Sequence, residues 1–248
     1  MITMTRTELL KLPTTRLVPM VLGVAYAIAL YIGYTMVSGA GVGDTPELGH
    51  PDHTRQLFAV PALASLPFLV LGLLSSSGEH RHGTALPTFL ATPRRHRVVA
   101  AKAAAMAVTG LAWTLITTAT LLAVVFPWAN SIGVDFLAAV DAELVRGLAV
   151  AIVAVPLFAV LGVGLGALLR NQVLGVVVVL VWFLFLETNL ITPKWPSVGR
   201  FLPNTASTLA GGFPTFAQMT WWIALLVVVA WAVGATVAGA VAEDLRDV

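Results

Sequence analysis

Cysteine is missing altogether, charge is scarce, and tyrosine occurs only three times in 248 residues. Without cysteine there is no disulfide, no thiolate nucleophile and no thiolate-held metal. Charged residues make up 10% of the chain, against roughly 25% in a typical soluble domain. Fourteen basic and twelve acidic side chains cannot cover the surface of a water-soluble protein of this length. The formal net charge of +2 is too small to point to a nucleic-acid partner. Motifs of the common catalysts are lacking too. No G-x-x-x-x-G-K-[ST] loop is present to hold ATP phosphates, and neither H-E-x-x-H nor G-x-S-x-G occurs.

Apolar length is what the chain has in abundance, with 58% hydrophobic residues. No Asp, Glu, Lys or Arg occurs at 17–43, 56–78, 103–134, 147–169, 171–186 or 201–242. Roughly 18 mostly apolar residues suffice for a helix to cross a bilayer. Five runs meet that length, and the sixth is interrupted only by Glu187 near its end. In lipid every backbone polar group must be paired within its own segment, so the spans are helices. The fold class is an all-α polytopic membrane protein, a single transmembrane domain over 1–248. Its six spans are expected near 17–38, 57–77, 99–126, 147–169, 173–192 and 218–241. The first span has a basic start and a small-residue site at Ser38-Gly39-Ala40. Its apolar run exceeds the roughly 7–15 residues of a signal-peptide core, so it reads as a retained helix.

This threading places Arg6, Lys11, Arg16, Arg81, Arg94, Arg95, Arg97, Lys102, Arg170 and Arg246 on one side. Only Arg55, Arg146, Lys194 and Arg200 fall on the other. The positive-inside rule then puts both termini in the cytoplasm. Frequent Ala, Val and Gly and the missing cysteine fit a bacterial inner membrane. Trp128, Trp195, Trp221 and Trp222 fall near the outer interface, where indole rings favour the headgroup zone.

Within the spans, Pro61, Pro67 and Pro156 are expected to kink their helices. Gly162 and Gly166 have the small-xxx-small spacing of close helix packing, and Ala235 with Gly239 repeats it. A dinucleotide-binding reading of those glycines would need a preceding strand, which an apolar span does not supply. His50-Pro51-Asp52-His53 reads as a solvated turn, and Arg81 between His80 and His82 disfavours a cation, so no metal site is assigned. Glu187 is the one acid within a span. Either it lines a polar pathway or it reaches the outer interface beside Thr188 and Asn189, and the residues leave both open. Tyr31 and Tyr34 are candidates for a substrate surface, with helix packing the favoured alternative.

The segment from Ser75 to Lys102, SSSGEHRHGTALPTFLATPRRHRVVAAK, is too long for a turn and too short for a domain. Leu86, Phe89 and Leu90 supply an apolar side at helical spacing, so a short helix along the membrane face is expected. Gly78-Glu79, Gly83-Thr84, Phe89-Leu90, Thr92-Pro93, Arg94-Arg95 and Lys102 together resemble the first cytoplasmic loop of type-2 ABC exporter permease subunits. Thr7 to Arg16 resembles that family's amphipathic interfacial helix, and Arg170-Asn171-Gln172 its short turn between the fourth and fifth spans. Phe201 to Gly212 is similar to its proline-containing outer segment before the last span.

The resemblance implies an interfacial helix over 1–16, spans over 17–77 and 99–192, and a coupling segment at 78–98. It further implies an outer re-entrant segment at 193–217, with the last span and tail at 218–248. It implies a non-catalytic subunit without a cofactor of its own, paired with a second permease subunit as a homo- or heterodimer. ATP and Mg would sit on a separate ABC subunit that contacts Glu79, Arg81, Gly83, Thr84, Pro93 and Arg95. The cargo expected is amphipathic or hydrophobic, a drug, lipid or peptide, because the spans offer few polar ligands for a small ion. An ion-coupled secondary transporter is the nearest alternative, and a membrane-embedded enzyme a more distant one, given a single intramembrane acid and no intramembrane histidine.

Overall fold

The computed structural model describes residues 2–12, 16–39, 57, 60–81, 95–131, 142–213 and 215–245. All regular structure among them is helical. Helix α1 (Ile2–Lys11) precedes the first long apolar helix, α2 (Leu17–Ser38). A 3-10 turn at Val60–Ala64 leads into α3 (Ser65–Arg81), and α4 covers Arg95–Ser131. Helix α5 (Ala142–Leu169) turns into α6 (Gln172–Lys194), whose stretch Val181–Ile191 is π-helical. Two short helices follow, α7 (Pro196–Gly199) and α8 (Pro203–Gly211), before the last long helix, α9 (Trp221–Leu245). Helices α2, α4, α5, α6 and α9, and α3 together with the 3-10 turn before it, are long and apolar enough to span a membrane, which makes this a multi-pass, all-α membrane protein.

Six alternating passages bring α1 and the end of α9 to one end of the bundle, termed here the terminal face. The opposite end is the distal face. Helices α3 and α5 form the centre, with 56% of each apolar stretch buried inside the bundle, against 17% in α2 and 22% in α6 and α9. Their contact depends on glycine. A Cβ at Gly162 would run into the Leu69 carbonyl, one at Gly166 into the Leu73 carbonyl, and one at Gly72 into the Ala159 carbonyl. Gly164 and Gly239 do the same for α5 against α9, where a Cβ on Gly164 would strike Ala235. With no hydrophobic force to drive helices together in lipid, such backbone proximity is what dispersion needs. The packing expectation for Gly162, Gly166 and Gly239 is therefore met.

Of the prolines expected to kink their helices, Pro61 lies in the 3-10 turn, Pro67 in the first turn of the α-helix that continues it, and Pro156 inside α5. Pro127 lies inside α4. Helix α4 also begins at Arg95, ahead of the expected 99, because its basic residues find acceptors and need not be excluded. Around the centre, Phe68 meets Trp113 edge-on at 5.6 Å, and Trp113 Nε1 donates to the Leu22 carbonyl at 3.2 Å. The Tyr26 and Thr120 hydroxyls, 2.8 Å apart, fasten α2 to α4 a second time.

Candidate functional site

At the terminal face, charges that a sequence shows singly are drawn into two clusters. Lys102, in the first turns of α4 and only 5% exposed, has its ammonium 2.6 Å from Glu79 Oε1 and 3.1 Å from Glu8 Oε2. It also donates to the Ser75 carbonyl at 3.3 Å. Lys11 closes the group at 2.6 Å from Glu8 and 3.2 Å from Glu79. Two acids and two bases cancel, which is how an ammonium can be buried here at all. Burial alone would lower the Lys11 pKa, but hydrogen bonds and charge from Glu8 and Glu79 outweigh it and raise the value. The cluster ties α1 to the end of α3 and the start of α4, the two helices that flank the segment 82–94. Met4, packed on buried Val98, adds an apolar contact to the same joint.

The second cluster joins α4, the α5–α6 turn and α9. Arg170, with φ of 51°, occupies the left-handed region, where a non-glycine residue needs support. Its Nε donates to Glu243 Oε1 at 3.2 Å and its Nη2 to Oε2 at 2.5 Å, a two-pronged pair on an acid that is 1% exposed. Asn171 then caps α6 by accepting from the Leu174 amide at 3.0 Å. Arg95 Nη1 donates to the Glu243 carbonyl at 3.0 Å, and His96 Nδ1 lies 3.0 Å from Asp244 Oδ2.

Toward the distal face, α7 and α8 fold back along the long helices. Trp231, ten residues or about 15 Å into α9, donates its indole N–H to the Phe201 carbonyl at 2.8 Å. Glu187 lies in the π-helical stretch of α6 and is completely buried. Its Oε1 accepts from the Thr205 amide of α8 at 2.7 Å. Pro203 is the first residue of α8, so Thr205 is its third, one of the amides a helix start leaves unpaired. Glu187 is thus a long-range cap on α8, and negative charge there also suits the helix dipole. The Thr192 and Thr205 hydroxyls are 2.8 Å apart, and Asn204 Nδ2 donates to Thr188 Oγ1 at 3.2 Å. Among the described residues, Glu187 Oε2 has no hydrogen-bond partner.

Beside this joint lies a cavity of about 570 Å³ between α2, α3, α5, α6 and α8. Ile32, Met36, Leu66, Val150, Phe183 and Leu184 make its apolar wall; Thr188, Asn204, Ser207 and Thr208 make a polar strip, and among the described residues no charged side chain lines it. That size and lining suit a small amphipathic molecule.

The sequence-derived candidates fall unevenly on this geometry. Glu79 and Arg95 are each engaged inside the chain. Arg81 ends α3, while Gly83, Thr84 and Pro93 lie outside the described residues, as do Leu86, Phe89 and Leu90. Glu187 does not reach the distal interface; its neighbours Phe183, Leu184 and Thr188 form the cavity wall in front of it. Tyr31 and Tyr34 are 67% and 60% exposed on the outside of the bundle, with Tyr34 near Trp128 at 5.9 Å between ring centroids. Span α2 offers Ile32 and Met36 to the cavity in their place. Residues missed by reading the chain alone are Glu8, Lys11, Glu243 and the α8 polar strip. Only the acid–base spacing of Glu8 and Lys11, three apart on a helix, signalled a pair.

No protein-family model matches the chain, and no curated protein matches it.

Proposed function

We propose that this protein is the membrane-spanning permease subunit of an ATP-driven exporter of the type-2 ABC class. In this reading it is non-catalytic, pairs with a second permease subunit, and is driven by separate ABC subunits that bind ATP and Mg. Both termini face the cytoplasm of a bacterial inner membrane, in keeping with the distribution of basic residues. One observation carries the proposal. Glu79 and Lys102, which bound the segment that resembles a coupling loop, are ion-paired at 2.6 Å, and Glu8 of α1 holds the same ammonium. A push on residues 82–94 is delivered to α1, α3 and α4 as one block, because all three share that ammonium. The neutral cavity near the distal end suits an amphipathic cargo on its way out.

The test is affinity purification from gently solubilised native membranes, with the co-purifying chains identified by mass spectrometry. A partner carrying a phosphate-loop ATPase sequence, near equal copy number, is the expected result. Thr84→Asp should weaken that association, since the resemblance assigns Thr84 to the ATPase contact. Absence of any ATPase, from membranes in which a control ABC complex survives, refutes the reading.

Glu187 favours a second reading, ion-coupled transport, because a buried acid with one unpartnered oxygen is a proton-site geometry. Its other oxygen is committed to the α8 amide, which makes a structural role the simpler account. Loss of transport in Glu187→Gln with ATPase activity absent from the preparation would reverse that preference.

A further inference from the structure

Arg146 is the fifth residue of α5, roughly 6 Å from its distal start. Among the described residues its buried Nε has no hydrogen-bond partner, and no carboxylate or carbonyl engages the guanidinium. The side chain lies against Gly212, the left-handed residue with φ of 85° that ends α8, and a Cβ there would collide with Nη2. The α8 carbonyl end, already closed by amides from Gly212 and Phe213, attracts a cation through its dipole but does not neutralise it.

The same arginine stands at one edge of an apolar groove of about 480 Å³. Val145, Ala149, Val150 and Val153 of α5 form one wall, and Trp221 and Leu225 of α9 the other. Val153 is seven residues past Arg146, about 10 Å further toward the middle of the bundle. Trp221 and Trp222, both exposed, open α9 at the same level, a position where indoles sit among headgroups. A fixed cation lies at headgroup depth, then, with an apolar channel running inward from it.

We propose that this groove is a binding site for one anionic phospholipid, its phosphodiester held by the Arg146 guanidinium and one acyl chain lying between α5 and α9. A guanidinium offers paired N–H donors that match two phosphate oxygens, and such charge-assisted pairs are strongest where water is scarce. Free phosphate would satisfy the charge but leave the groove below it unfilled, so the lipid is the occupant. The site is independent of the transport reading and holds whichever leaflet the distal face meets.

The experiment uses the full chain in phosphatidylcholine vesicles containing a minor fraction of brominated-chain phosphatidylglycerol, with brominated-chain phosphatidylcholine as reference. Bromine quenches nearby indoles, and the Trp221→Phe variant isolates the Trp221 contribution. Phosphatidylglycerol should be enriched at Trp221 about tenfold over its bulk fraction, the worth of one charge-assisted contact. Arg146→Gln should bring the two lipids to parity, and Arg146→Lys should keep part of the preference. Ala149→Phe fills the groove with the charge intact and should also remove the quenching, which covers a failure of Arg146→Gln to fold. Glu143→Gln must leave the preference in place; a preference that appears only in that variant makes Glu143 the partner of Arg146 and overturns the site. Parity in the wild-type protein, or a preference that survives both Arg146→Gln and Ala149→Phe, overturns it as well.

Discussion

Replacing Lys102 with methionine keeps the length and apolar stem of the side chain and removes only its charge. In the native protein that charge sits 2.6 Å from Glu79 and 3.1 Å from Glu8. Breaking a buried pair by deleting one partner costs about 3–5 kcal/mol, because the orphaned charge stays behind. Here Lys11 remains within 2.6 Å of Glu8 and 3.2 Å of Glu79, though 44% exposed. It offsets part of the loss, so the lower figure of about 3 kcal/mol applies. Lys102→Met orphans two acids, Glu79 of α3 and Glu8 of α1, so only the Glu8 share, about half of that cost, falls on the docking of α1. The absence of native cysteine makes the joint directly measurable. Met4→Cys places a thiol against Val98, partly covered while α1 is docked and open to maleimide when α1 undocks. A joint weaker by about 1.5 kcal/mol opens on the order of tenfold more often, and the labelling rate rises with it. Adding Glu8→Gln to Lys102→Met should slow labelling again by removing one orphaned acid. A Lys102→Met rate within about threefold of the parent would show that the cluster does not hold α1, and the lever argument would fall with it.

Three further outcomes follow from other parts of the bundle. Glu187→Ala should destabilise the protein by about 1–2 kcal/mol through the lost α8 cap, and Glu187→Gln by less, since an amide oxygen can still accept from Thr205; thermal unfolding in detergent separates the two. Gly162→Ala should cost at least about 3 kcal/mol, because its Cβ would meet the rigid Leu69 carbonyl. Gly23→Ala and Gly234→Ala, with nothing within 4 Å, should gain up to about 1 kcal/mol each from helix propensity. Raising pH should loosen α1 through Lys11. Its pKa is raised on folding, so its contribution is complete below the ordinary lysine value of about 10.4 and is lost as pH climbs through the higher, folded value. Met4→Cys labelling, divided at each pH by that of the exposed Leu10→Cys to cancel the thiol's own titration at about 8.5, should therefore accelerate only in that alkaline window.

The long helices were legible because a charge-free run of twenty residues has few other fates, and glycine spacing pointed to close packing at Gly162 and Gly166. What was not legible is which helix each residue faces. Glu8 meets Lys102 across 94 positions, and Arg170 meets Glu243 across 73; both depend on how helices are rotated in the bundle, which no local pattern encodes. Glu187 stood out as an intramembrane acid, but its partner is a backbone amide, and every residue except proline carries one. The cavity escaped notice for a related reason. It is space left where the short α8, only Pro203–Gly211, stands among longer helices, and empty space has no sequence signature. Tyr31 and Tyr34 drew attention as rare polar aromatics, yet their spacing places them on the outer side of α2.

The tight turn at Arg170 also bears on how the chain is put together during synthesis. Helices α5 and α6 are joined by only Arg170 and Asn171, so they enter the bilayer as a hairpin with the arginine at its tip. The carboxylate that receives that arginine belongs to α9 and is made 73 residues later. Until α9 emerges, the hairpin tip must stay in water, and the contact of Arg95 with the Glu243 carbonyl stays open with it. Arrival of the last helix closes both contacts at once. A ribosome stalled before Glu243 would therefore hold a chain with five helices threaded but with the Arg170 side of its terminal face unlocked, and a quality-control protease would find its opening there.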